Sequence, residues 1–486
     1  MQTPLAKPIA DFSSVLAARA ASAGLNARQQ AYLEHFITQY DQRHRTSKQF
    51  AQTYRPVLAD PRVAAGFDPL LKEMVYPIVG DRAAGSRAWD ADGNEYVDFL
   101  MGFGVHLLGH NSPVVQQALI ERLQQGMALG LQSGLVGEVA TLIRDLTGME
   151  RVAFSNTGTE AVMTAIRLAR ATTKRQKIAL FAGSYHGHFD GTLIKADPDQ
   201  TAAGQAIPRF PGVPAAIAQD VLVLQYDDPR SLEIIKTHAA QLAAVLVEPV
   251  QRRRLNLQPQ AFLQQLRQLT QDQGIALIFD EMLTGFRIHP GGAQAWFGVR
   301  ADIAIYGKII GGGMPIGVIA GSAEYLDKID GGQWQYGDDS APQVETTFFA
   351  GTYCKHPLVM TAAKAILQHL QAEGAALQQQ LNQRTQALSD RLNQYFTQVG
   401  IPIQMVNFGS LFGPVSGDAA TETPEQSAAS ITMLLLSYHL QDQGILLFPD
   451  GSGILSTAHT DADSDRLLSA VQNSIGALAQ GGFLES

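Results

Sequence analysis

The sequence predicts an α/β fold: a mainly parallel sheet with helices on both faces, joined to a smaller α+β part. Three observations carry this expectation. From about 114 to 350, helix-periodic segments such as VVQQALIERLQQG and GLVGEVATLIRDL alternate with the short apolar runs RVAFS, KIALF, VLVLQY, AAVLVEP, IALIFDE and IAIYG, which is the pattern of βαβ units. Polar and small residues collect directly after those runs, where open α/β sheets place their ligand sites. At 486 residues the chain is too long for one simple core, so two packed lobes are expected.

Taken in order, residues 1–75 read as an N-terminal helical arm or linker, with RQQAYLEHFITQYDQ and RHRTSKQFAQTYRP as polar-faced helices carrying no nameable chemistry. Residues 76–115 read as the first segment of the small lobe, with a hairpin turning at Asp92-Gly93-Asn94 between RAW and EYVDFL. Residues 116–352 read as the large α/β domain. Residues 353–486 form the C-terminal small domain, opening after His356-Pro357 with one long helix, LVMTAAKAILQHLQAEGAALQQQLNQRTQALSDRLNQYF, and ending in helices that start at Thr423-Pro424 and Thr460-Asp461.

Composition narrows the function. An apolar content of 45% and a charged content of 17% describe a globular enzyme rather than a disordered or fibrous chain. A net charge of −9, with Arg252-Arg253-Arg254 as the only basic run, argues against a nucleic-acid partner. The single cysteine, Cys354, excludes an intrachain disulfide and a thiolate cluster, and fits a reducing, cytoplasmic setting. The first 25 residues lack the sustained apolar core of a signal peptide, and no apolar stretch approaches a membrane span.

The chemistry centres on Lys308, in YGKIIGGGMPIG, which follows Asp280-Glu281 by 28 positions (308 − 280). An amine after one buried strand and a carboxylate ending another are what a pyridoxal phosphate enzyme requires. The amine can form a Schiff base, and the carboxylate keeps the pyridinium nitrogen protonated. A third element supports them. In FSNTGTEAVMTAIRLARA, Thr157-Gly158-Thr159 opens an amphipathic helix whose free N–H groups and dipole suit a phosphate.

Rival signatures fail. For a Walker loop, Asp302 stands where the first glycine belongs and Ile309 where Ser or Thr should follow the lysine. For a dinucleotide fingerprint, Ile316 stands at the third glycine. His186 and His188 mimic a metal pair, but the glycines of GSYHGHFDG and the lack of a matching pair elsewhere favour hydrogen-bonded histidine, so no metal is expected.

With SNTGTEA, GSYHGHFDG, VEPV, DEMLTGFR and GKIIGGGMPIG in register, the chain from about Tyr76 onward resembles the class III, fold-type I pyridoxal phosphate aminotransferases. Within them it is similar to the glutamate-1-semialdehyde aminomutase branch. Through segments such as VEPVQRRRLNLQP and TTFFAGTYCKHP it also resembles aminotransferase domains of hybrid polyketide and nonribosomal peptide synthetases.

The resemblance implies Lys308 and Asp280 as catalytic residues, and Thr157, Gly158, Thr159 and His186 in the cofactor site. It implies that Tyr185 stacks on the cofactor ring and that Gln251 offers an amide donor near its phenolic oxygen. Thr352 of the partner subunit would reach the phosphate, which implies a homodimer. Arg252-Arg253-Arg254 replaces the Gly-rich continuation common in the family. The implied reaction moves an amino group from an amino acid, glutamate or glutamine, to a β-keto acyl thioester on an acyl carrier protein. The alternatives are an intramolecular aminomutase and a non-catalytic protein that keeps the fold.

Overall fold

The computed structural model describes residues 24–64, 67–198, 204–415 and 431–484. The chain divides by contact into two units: Met1–Leu100 with Glu422–Gly453 and Ala458–Ser486, and Met101–Thr421 with Ile454–Thr457.

The larger unit is built on a seven-stranded sheet. In chain order its strands are β1 (Arg151–Ser155), β2 (Lys177–Phe181), β3 (Val221–Leu224), β4 (Leu242–Val247), β5 (Ala276–Asp280), β6 (Ile303–Gly307) and β7 (Gly317–Gly321). Their spatial order is β1-β7-β6-β5-β4-β2-β3. β7 runs antiparallel to both its neighbours, β6 and β1, so the other six strands point one way. Their carboxyl ends therefore share one edge, where the fold gathers its chemistry. Every residue of β4, β5, β6 and β7 is buried, which explains why these strands read as continuous apolar runs without alternation.

Helices α1 (Pro113–Gln124), α2 (Leu135–Thr147) and α3 (Gly158–Thr173) belong to this unit. α3 lies against the sheet through Ala161, Ala165 and Ala169, small residues that let the helix approach the buried valines and isoleucines of the strands. The single long helix expected after His356 is two: α4 (Pro357–Glu373) and α5 (Ala375–Gln398). Gly374 separates them at φ +60°, ψ −151°, a conformation that only glycine adopts readily. The strand β7 is absent from the six apolar runs read in the sequence. Among the described residues no helix is long and apolar enough to cross a membrane.

In the smaller unit the hairpin expected at Asp92-Gly93-Asn94 is present: Arg87–Asp90 pairs antiparallel with Glu95–Asp98, and Gly93 takes φ +83°. The helix start at Thr460-Asp461 is present as a capping box on Asp461–Gln480. The start at Thr423-Pro424 lies outside the described residues, as do residues 1–23.

Residues 27–43 form a helix with its own capping box at Asn26. It buries Leu33, Phe36, Ile37 and Tyr40 in a core shared with Leu435 and Leu478. Two histidines sit inside this packing. His44 Nδ1 donates to Tyr40 O (3.0 Å) and its Nε2 meets Tyr96 Oη at 2.9 Å, while His439 stacks on Phe36 and meets Tyr32 Oη at 2.7 Å.

Burial lowers both imidazoles to about 4. Their stabilising contribution is complete above the unfolded value near 6.5 and is lost as pH falls from there toward 4, because only the unfolded chain takes up the proton freely. Each histidine is worth on the order of 3 kcal/mol across that window. In pH-dependent unfolding, His439→Gln should flatten the slope between pH 6.5 and 4 by up to one proton; an unaltered slope would contradict this account.

Candidate active site

The larger unit brings the expected residues to the shared edge of the sheet. Asp280 is the last residue of β5, and Lys308 directly follows β6, its neighbour. Glu248 follows β4, Tyr185 and His186 lie in the loop after β2, and Thr157 follows β1.

Lys308 has φ +44°, a left-handed backbone that a side-chain-bearing residue rarely adopts. Burial pushes its ammonium below the ordinary lysine value. The carboxylates of Asp280 and Glu248 oppose that shift, and the guanidinium groups of Arg287 and Arg252 add to it. A buried amine with a lowered pKa is one that can act as a nucleophile and as a base.

The backbone beneath Lys308 depends on two glycines and one methionine. A Cβ on Gly307 would stand 2.5 Å from Met282 Sδ and 2.8 Å from the Ile316 carbonyl oxygen, and one on Gly158 would stand 2.8 Å from Met282 Cε. Met282 thus packs between the residue before Lys308 and the start of α3, forming a floor that joins the two. It was not among the residues singled out in the sequence.

The acidic pair splits its duties. Asp280 is buried and accepts the Met282 N–H at 3.0 Å on Oδ1, while Oδ2 meets His186 Nδ1 at 2.8 Å. Glu281 points the other way and accepts from Thr284 Oγ1 (2.7 Å), Ala293 N (2.8 Å) and Gln294 N (2.8 Å), an anchor for the segment after β5. Burial pushes Glu281 up to about 7 against those hydrogen bonds.

His186 is 3% exposed, and its Nε2 has no partner among the described residues. His188 is exposed and donates its backbone N–H to Thr159 Oγ1 (3.3 Å), so the two histidines do not share a face. Glu248 accepts the Tyr185 N–H at 2.9 Å and is pushed up to about 7, chiefly by burial. It fixes the loop by its backbone, a positioning role that the sequence alone left open. Tyr185 is 69% exposed, so its ring is not core packing and stands available at the edge.

At the start of α3, Thr157 Oγ1 accepts the Glu160 N–H (3.2 Å), and the Glu160 carboxylate reaches back to Asn156 N (2.7 Å). This reciprocal cap leaves the N–H groups of Gly158 and Thr159 without a partner among the described residues, where the helix dipole favours an anion. The Tyr185–His188 loop packs closely on this cup: a Cβ on Gly187 would stand 3.0 Å from Thr159 Cα.

Gln251 is 1% exposed, and its Nε2 donates to Ala182 O and Ser184 Oγ, both at 2.9 Å. Because Ala182 O can only accept, the amide orientation is fixed, and the atom left without a partner is the acceptor Oε1. The amide donor expected at this position is therefore spent on the chain's own β2 loop. Thr352 is exposed, next to Gly351, whose added Cβ would stand 3.3 Å from Asn156 Nδ2, so its segment passes beside the cup. Arg287, not singled out in the sequence, is fully buried beside this site.

Comparison with known proteins agrees with this geometry. A family model described as aminotransferase class-III matches residues 71–473. The glutamate-1-semialdehyde 2,1-aminomutase of Chloroflexus aurantiacus is 37% identical over 407 residues, covering 82% of this chain and 89% of its own. Among solved structures, a β-phenylalanine aminotransferase from Variovorax paradoxus is 30% identical, with a TM-score of 0.77 and coverage of 93% of this chain and 98% of that one. A transaminase with PLP bound is 28% identical, with a TM-score of 0.76 and coverage of 90% and 99%.

The residues fit pyridoxal phosphate. The cup offers two unpartnered N–H groups for phosphate, Asp280 offers a buried carboxylate, Lys308 a buried amine, and His186 Nε2 and Gln251 Oε1 are buried polar atoms still wanting partners.

Proposed function

This chain belongs to the class-III aminotransferases and its cofactor is pyridoxal phosphate, and we propose that it transfers the amino group of an amino acid to a separate keto acceptor through Lys308. The observation that carries this reading is the buried Lys308 amine directly after β6, the strand that neighbours the one Asp280 ends. When bound, pyridoxal phosphate supplies an electron-accepting ring and a carbonyl that carries the amino group.

The chain's own residues supply the rest. Lys308 would hold the cofactor by its amine, and the same buried amine would serve as the base for the substrate Cα proton. Asp280, held by His186 and the Met282 N–H, is the carboxylate that would keep the ring nitrogen protonated. Gly158 and Thr159 would receive the phosphate, and the exposed Tyr185 ring would offer a face for stacking. Thr352 of the partner subunit completes the phosphate site in a homodimer.

For the acceptor we propose a β-keto acyl thioester on an acyl carrier protein, with glutamate or glutamine as donor. Likeness to a β-phenylalanine aminotransferase supports a β-amino product, and the Arg252–Arg254 run suits an acidic carrier. The names of the curated relatives favour a second reading, intramolecular transfer on glutamate-1-semialdehyde.

One assay separates them. Holoenzyme given glutamate or glutamine should lose its imine absorbance and release one equivalent of 2-oxo acid, then recover the band with a carrier-bound β-keto acyl acceptor. Isomerisation of glutamate-1-semialdehyde with no 2-oxo acid released would select the second reading.

A further inference from the structure

Arg287 is the largest fully buried side chain of the described residues, at 1% exposure. Its Nε donates to Leu283 O (2.9 Å), one terminal nitrogen to Ser410 Oγ (3.0 Å) and the other to Gly104 O. All three acceptors are neutral, and among the described residues no carboxylate comes within ion-pair distance. A charge buried without a counter-ion is costly and is kept where it holds something.

What it holds is strained. Met101, Gly102, Phe103 and Gly104 have φ of +47°, +61°, +58° and +93°, a left-handed turn in which two residues carry side chains. L-residues visit that region singly, not in succession, and such strain persists only where surrounding contacts over-determine it. A Cβ on Gly104 would stand 3.0 Å from the guanidinium and 3.1 Å from Leu283 Cδ1, so turn and clamp are in close contact. The His106 N–H closes the turn on Met101 O (3.1 Å). The His106 ring lies 3.3 Å from where a Cβ on Gly313 would stand, in the loop that follows Lys308. The guanidinium thus ties the segment after Asp280 to a strained turn that leans on the Lys308 loop.

We propose that Arg287 is a positioning residue of the transfer reaction, a buried cationic clamp that holds the left-handed turn Met101–Gly104 against the Lys308 loop. Its guanidinium also stands among the charged neighbours of Lys308, with Asp280, Glu248 and Arg252.

The electrostatic half rests on Lys308 being the reactive amine; the clamp does not, so the two are measured separately on apoprotein. In Arg287→Gln, hydrogen exchange at the His106 and Leu107 amides should quicken at least about tenfold as the turn loosens. The midpoint for pH-dependent acetylation of Lys308 should rise, because a neighbouring positive charge is removed.

Arg287→Lys keeps the charge without the fork. It should quicken exchange with no rise in the midpoint, and it carries the test if the glutamine variant does not fold. Wild-type exchange in either folded variant overturns the clamp, and a wild-type midpoint in folded Arg287→Gln overturns the electrostatic half.

Discussion

Lys308→Ala is expected to reduce the first half-reaction by at least about 10⁴-fold, the combined loss of the amine that carries the cofactor and of the base that moves the Cα proton. The protein should stay folded. Alanine inherits the φ of +44° at this position, so the backbone strain is unchanged, while removal of a buried amine relieves a desolvation cost that Asp280 and Glu248 offset only in part. The melting temperature of apoprotein should therefore equal or exceed that of wild type. Small primary amines added to the variant should restore part of the proton-transfer rate, since they can occupy the space of the lost amine. A variant that still releases 2-oxo acid at a rate within tenfold of wild type would remove Lys308 from the mechanism.

Much of this site was legible in the sequence because its parts are local. A carboxylate at the end of an apolar run, an amine after the next run and a Thr-Gly-Thr before an amphipathic helix each carry their signal within about ten residues, and a sheet with six strands pointing one way brings such ends together.

What escaped the sequence depends on contacts across the chain. β7, GVIAG, has glycine at both ends and is not among the apolar runs, yet Gly317 is required because a Cβ there would overlap the Thr157 carbonyl, more than a hundred residues away. Met282 reads as one more apolar residue until Gly158 and Gly307 are seen to make room for it. Arg287 sits amid the apolar residues of LTGFRI, a local hint of a buried cation, but two of its three acceptors, Ser410 Oγ and Gly104 O, lie in distant segments. Gly374 in a helix-periodic run was readable as a tolerated glycine; its φ and ψ, which only the fold sets, make it a break.

Asp280→Asn should be nearly as damaging as loss of Lys308, lowering the half-reaction by about 10³-fold or more, because it removes a charge and leaves the shape. The geometry allows the substitution. Oδ1 accepts the Met282 N–H, so the asparagine oxygen belongs there and its NH₂ faces His186 Nδ1. His186 can accommodate that by carrying its proton on Nε2, the atom that has no partner among the described residues.

The variant should therefore fold and retain cofactor, with a neutral group where the pyridinium nitrogen needs a carboxylate. Its signature is a retained imine band that amino donors discharge slowly, with Lys308 modified more readily at low pH because Asp280 no longer supports its charge. Loss of cofactor with normal chemistry after reconstitution would make Asp280 a binding residue only. A rate within tenfold of wild type would show that some other group keeps the ring protonated, and Glu248, buried near Asp280 and raised to about 7, is the residue to replace next.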